Sequence, residues 1–199
     1  MDRQMNVYKL SFNYLDYLNL DINKKKLMLA VGKGIGGSKA FMSYGWDNVS
    51  LKDAWVDLGG SFVSVEGLKA DKRPDITTWN GANLVLSPKA YDLLHERLNS
   101  YGEFLPITID GETNYIFNCM NLVYADKTQS KADIVDDLWM GIKSIGFESD
   151  DIAKNLVFKS KFDRCGAIYC GDDFKDLVEF LELEGLLFLK DLVGDFVVA

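Results

Sequence analysis

The sequence predicts an α+β fold, a largely antiparallel sheet with a few packed helices. Three observations lead there. Helical and extended patterns do not alternate in the regular way of a doubly wound fold. A strong hairpin signal, Asp110-Gly111, falls in the middle of the chain. And 48% apolar residues over a 199-residue chain are enough for a compact core.

In chain order, Tyr8, Leu10, Phe12 and Tyr14 alternate with Lys9, Ser11 and Asn13, the period of a half-buried strand. Lys24-Lys25-Lys26 reads as a solvated turn, Leu27 to Val31 as a short buried strand, and Gly32 to Gly37 as its break. Residues 41–73 read as loops with short strands. The charged stretch from Lys69 to Pro74 is the candidate boundary between an N-terminal lobe, 1–74, loop-rich with short strands, and an α+β domain, 75–199. Leu84-Val85-Leu86 is a strand. Ser87 then supplies a helix N-cap and Pro88 the first helical position, where its missing N–H is no loss. Ala90, Leu93, Leu94 and Leu98 form the apolar stripe of that helix.

Pro106 to Ile109 and Thr113 to Asn118 form the hairpin. A three-residue loop, Ile109 to Gly111, sets Ile107 opposite Thr113 and Leu105 opposite Tyr115. Ser130-Lys131-Ala132-Asp133 resembles a capping box, and Ile134, Leu138, Ile142 and Ile145 share one helical face, so a helix is expected up to Gly146. Leu156 to Phe158 and Ala167 to Tyr169 read as strands. A last helix, capped by Asp172, carries Phe174, Leu177, Val178 and Leu181 up to Gly185, and Leu186 to Leu189 is a final strand.

Chemistry-bearing motifs are sparse. The three cysteines, Cys119, Cys165 and Cys170, suit reduced thiols better than a disulfide framework, and too few ligands accompany them for zinc. His95, the single histidine, has no neighbouring nucleophile to serve. Gly32, Gly34 and Gly37 satisfy G-x-G-x-x-G, but no long helix and no βαβ unit is expected around them. No catalytic group, metal or cofactor is expected. No apolar run approaches a membrane span. The opening residues lead into polar-alternating sequence, so a cytoplasmic location is expected.

Charge is uneven. Thirty acidic against 22 basic residues leave −8, which disfavours nucleic acid as a partner. Residues 1–74 carry net +3 and residues 75–199 net −11. Asp133, Asp136, Asp137, Glu148, Asp150 and Asp151 form one acidic group. Asp176, Glu179 and Glu182 belong to a second, with Asp172, Asp173 and Glu184. Together they are the expected contact surface for a basic protein partner.

From Asp75 to Leu189 the order of short motifs resembles family eleven of the bacterial polymorphic-toxin immunity proteins. These are Asp75-Ile76-Thr77, Leu84-Val85-Leu86-Ser87 running into Ala90, Leu93 and Leu94, Glu103-Phe104-Leu105-Pro106, and Tyr115-Ile116 with Asn118. Asp126 with Ser130, Leu156-Val157-Phe158, Ile168-Tyr169 and Glu184-Gly185-Leu186 follow, and Trp55 matches a family tryptophan. The resemblance implies a non-enzymatic cytoplasmic antitoxin that binds its cognate toxin effector. Two other readings stand beside it: a small nucleotide-binding module or enzyme using residues 32–39, and a structural protein of a secretion gene cluster.

Overall fold

The computed structural model describes residues 5–194, which form five helices and twelve strands. In chain order the elements are β1 (Val7–Phe12), β2 (Asn19–Asp21), α1 (Lys24–Gly34), α2 (Ser38–Asp47), β3 (Ser61–Val63), β4 (Ile76–Trp79), β5 (Asn83–Leu86), α3 (Pro88–Leu98), β6 (Gly102–Ile109), β7 (Glu112–Cys119), β8 (Lys131–Val135), β9 (Leu138–Ser144), α4 (Ser149–Ala153), β10 (Val157–Phe158), β11 (Tyr169–Gly171), α5 (Asp172–Phe180) and β12 (Leu186–Leu189). The strands pair antiparallel in four sheets: β10-β11-β1-β12, β4-β5-β7-β6, and the two-stranded β2-β3 and β8-β9. The fold is α+β.

Alternation along the strands explains the layering. On the β4-β5-β7-β6 sheet, Ile76, Leu84, Leu86 and Phe117 face a core shared with Tyr8, Leu10 and Cys170 of the other four-stranded sheet and with α3 and α5. Val85, Leu105, Ile107, Ile109 and Ile116 face a second core closed by Leu27 and Val31 of α1 and Phe41 and Tyr44 of α2. A third core, around Phe147, Ile152, Phe158 and Tyr169, covers the opposite face of the β10-β11-β1-β12 sheet. Residues before 75 therefore enter all of these layers. β1 lies between β11 and β12, with Tyr8 opposite Cys170 and Leu10 opposite Phe188.

The helix opening at Pro88 forms as expected, with the Ser87 hydroxyl accepting from the Ala90 N–H at 3.2 Å. Its buried stripe is Ala90, Leu94 and Leu98, while Leu93 is exposed. Asp172 is the first residue of α5 and not its cap, which is Gly171. The Asp172 carboxylate instead accepts from the Asn6 N–H and the Tyr8 hydroxyl, both at 3.1 Å, fastening β1 to α5.

Four further expectations are corrected. Leu27 to Val31 is not a strand but the middle of α1. The Asn23 side chain accepts from the Lys26 N–H at 2.9 Å, and Leu27 and Val31, one turn apart, are buried while Leu29 between them is exposed. A short continuous apolar run fits either structure, and here the cap decides. Residues 38–47 are helix and not loop, with Phe41 and Tyr44 on the buried side. The central hairpin closes with a two-residue turn, Asp110 and Gly111 at φ 50° and 88°, so Ile109 opposes Glu112 and Ile107 opposes Asn114. The three-residue loop assumed one buried face. Both faces are buried here: Leu105 opposes Ile116 on one and Phe104 opposes Phe117 on the other.

The fourth correction concerns residues 131–146, which form the β8-β9 hairpin and not a helix. Asp136 and Asp137 both take left-handed backbone, φ 49° and 62°, the geometry of a type I′ hairpin turn that Asp tolerates better than most residues. The Ser130 hydroxyl caps no helix. It accepts from the Gly146 N–H at 3.1 Å, clamping the base of the hairpin.

Candidate functional site

The acidic residues expected to meet a partner fall into two places. Asp133 lies on β8 and pairs with Lys143 of β9 at 2.9 Å. Asp136 and Asp137 form the exposed turn, and Glu148, Asp150 and Asp151 begin α4. Hairpin and α4 both pack against the third core, through Ile142 and Ile152. Asp176 and Glu179 lie on the exposed side of α5 and Glu182 just beyond it, and α5 packs by Phe174 and Val178 on the first core. The β10-β11-β1-β12 sheet stands between the two groups, because Tyr169 and Cys170 point to its opposite faces.

The hairpin also exposes apolar surface. Ile134, Val135, Leu138 and Met140 are 58%, 52%, 65% and 63% exposed. Val135 opposes Leu138 beside the turn, and Ile134 opposes Trp139, whose ring lies 4.0 Å under the Arg164 guanidinium. Helical spacing accounts for the same residues, so the sequence predicts a helix where the structure has an acidic turn with apolar flanks. The Asp-Asp pair and Gly141 were the available hairpin signals.

The other sequence candidates have structural work to do. The Asp75 carboxylate accepts from Lys89 Nζ at 2.9 Å and the Glu184 N–H at 3.2 Å. Asp126 accepts from the Thr128 N–H and hydroxyl, which hold its carboxyl below the usual range. His95 Nδ1 donates to the Tyr91 carbonyl at 3.0 Å, and its ring stacks on Tyr91. The three thiols are free and buried. Burial pushes Cys119 up to about 11, so it is no ready nucleophile. The 32–39 glycine loop joins two helices, not a strand to a helix. The Gly37 N–H donates to the Gly32 carbonyl, and a side chain at Gly32 would press on Gly37 at 3.0 Å, so these glycines serve a close helix–helix turn.

A cavity of about 500 Å³ opens where α1 and α2 approach the β4-β5 turn. Phe41, Tyr44 and Trp46 of α2 and Met28 of α1 give it an apolar wall. Asn80, in left-handed backbone at φ 51°, and Asn83 supply amides, the latter donating to the Tyr44 hydroxyl at 3.0 Å. Its charged lining residues among those described are all cationic: Lys24, Lys25 and Lys159. Lys159 is 1% exposed, and its ammonium makes no hydrogen bond or ion pair with the described residues. Burial lowers its pKa, opposed by the more distant Cys119, Cys165, Asp163 and Glu103. Sequence reading passed over Lys159. Its signal was a lysine continuing the buried run Val157-Phe158.

No known protein family matches the chain, and no curated protein is similar to it in sequence. No helix among the described residues is long and apolar enough to cross a membrane, and no His, Cys, Asp or Glu cluster among them could hold a metal ion.

Proposed function

We propose that this chain is a toxin-neutralising immunity protein that acts in the cytoplasm by stoichiometric binding to a toxin effector with a basic surface. One observation carries the reading. Among the described residues the β8-β9 hairpin pairs with no other strand, and it exposes four large apolar side chains around an acidic turn. Exposed apolar surface rimmed by charge marks a protein contact more often than a solvated edge. The acidic charge names the partner's complement: the hairpin and α4 contribute Asp133, Asp136, Asp137, Glu148, Asp150 and Asp151. The motif order that resembles the immunity family supports the same reading.

The test is co-expression with the product of the neighbouring gene, followed by gel filtration. The expected outcome is rescue of growth and a complex in fixed stoichiometry. Persistent growth arrest with no co-eluting complex defeats the proposal. Within a rescuing pair, Val135→Ser with Leu138→Ser removes apolar contact while leaving the turn intact. Dissociation should quicken by roughly tenfold or more, as for central interface residues. Unchanged dissociation would remove the hairpin from the interface.

A further inference from the structure

We infer that the cavity between α1, α2 and the β4-β5 turn binds a small aromatic anion, a flat apolar ring system bearing one carboxylate or sulfonate, with Lys159 as its counter-ion. This goes beyond protein–protein neutralisation and stands independently of it.

The argument begins with Lys159. A side chain 1% exposed with no hydrogen-bonded partner among the described residues is costly to keep charged, and proteins pair such groups or omit them. Lys159 does not end in a closed apolar core. It lines a cavity of about 500 Å³, within the range that small-molecule sites occupy. The surroundings fix the ligand's sign. Lys24 and Lys25 lie at the same cavity, no carboxylate among the described residues lines it, and yet the chain as a whole carries −8. A cationic pocket in an acidic protein selects anions against the molecule's general field. The walls fix the ligand's body. Phe41, Tyr44 and Trp46 offer ring faces and edges for stacking, and Met28 and Met42 adapt to an irregular outline. Asn80 adds an amide for a second oxygen of the anionic group.

The probes are 1-anilinonaphthalene-8-sulfonate and its uncharged counterpart N-phenyl-1-naphthylamine, followed by their own emission and by quenching of the tryptophan emission to which Trp46 contributes. The folded wild-type chain should take up one sulfonate per molecule, at least roughly tenfold more tightly than the neutral compound, as expected for a desolvated charge-assisted contact. Lys159→Met should weaken the sulfonate roughly tenfold or more and leave the neutral compound within about twofold, whereas Lys159→Arg keeps the preference. Thermal melts establish that both variants are folded. Should either variant fail to fold, the comparison of charged and neutral probes in the wild type decides alone. No saturable binding, equal affinity for the two probes, or a Lys159→Met protein that binds the sulfonate as tightly as the wild type would each overturn the assignment.

Discussion

Lys159 and Asp57 are two charged side chains with opposite energetic signs. Burial holds the Lys159 ammonium below its usual pKa, and the groups acting on it from neighbouring elements are Cys119, Cys165, Asp163 and Glu103. The native state therefore binds fewer protons than the unfolded chain between its lowered pKa and the ordinary lysine value of about 10.4, and stability rises with pH across that window. Lys159→Met removes the penalty. It should raise stability at neutral pH by about 1–3 kcal/mol and flatten the alkaline rise, read by urea melts from neutral to alkaline pH. A destabilised Lys159→Met protein would mean that the ammonium is already well solvated. Asp57 behaves in the other sense. Burial pushes its carboxyl up, but the Thr108 hydroxyl and N–H and the Gly59 N–H donate to it and bring the net value below the usual range. A depressed carboxylate stabilises above its unfolded pKa, about 3.9, and loses that contribution as pH falls through the folded value. Asp57→Ala should cost about 1 kcal/mol at neutral pH, discounted because the group is exposed, and less once the carboxyl is protonated in both the folded and the unfolded chain. An equal loss at acidic and neutral pH would contradict this account.

Among the elements, those whose cap or alternation admits one period were legible, and those whose apolar residues fit two periods equally were not. Ser87-Pro88 opens a helix in the sequence as in the structure, and Tyr8 to Phe12 alternates as a strand should. Leu27 to Val31 failed because an apolar run without a visible break carries no period. Residues 131–146 failed because Ile134, Leu138 and Ile142 are four apart and so mimic a helical stripe, although in the hairpin Ile134 opposes Trp139, Leu138 opposes Val135 and Ile142 opposes Ala132. Missing β4 had a simpler cause. The run Ile76 to Trp79 is only four residues long, too short to show a period, although Asn80-Gly81 marks the turn after it. The same turn brings Asn80 to the cavity, so the candidate ligand site went unseen with it. Gly185 tests how tightly one such junction is set. Its φ is 118°, and a Cβ would come within 2.4 Å of Pro74 Cβ and 2.6 Å of the Ile76 carbonyl. Gly185→Ala should cost roughly 3 kcal/mol or more, seen as a lowered midpoint in urea with unchanged slope. A near-neutral effect would show that β12 can move away from β4.

At the scale of the whole molecule, the fold sorts charge in a way that the linear sequence does not. The net +3 of residues 1–74 is not confined to a separate lobe, because β1 is woven into the sheet that carries the acidic helices. Lys24 and Lys25 instead join Lys159 at a cavity, while the acids divide between two faces of one sheet. A single interface of ordinary size buries roughly 800 Å² on each partner, and so a partner seated on the hairpin leaves α5 outside its centre. The two acidic groups must then differ kinetically. Charges at an interface rim act chiefly on the rate of encounter, and salt screens them over about 8 Å at physiological ionic strength. Asp136→Asn with Asp137→Gly neutralises the hairpin turn while supplying a favoured residue pair for type I′ geometry, so the hairpin itself is kept. With the partner proposed above, stopped-flow mixing at low salt should give an association rate several-fold slower than wild type, with a shallower dependence on ionic strength. Asp176→Asn with Glu179→Gln and Glu182→Gln on the opposite face removes three charges and should change that rate by less than about twofold. If the α5 substitutions slow association and those in the turn do not, the partner docks on the first-core side of the sheet and the hairpin's apolar residues have another purpose.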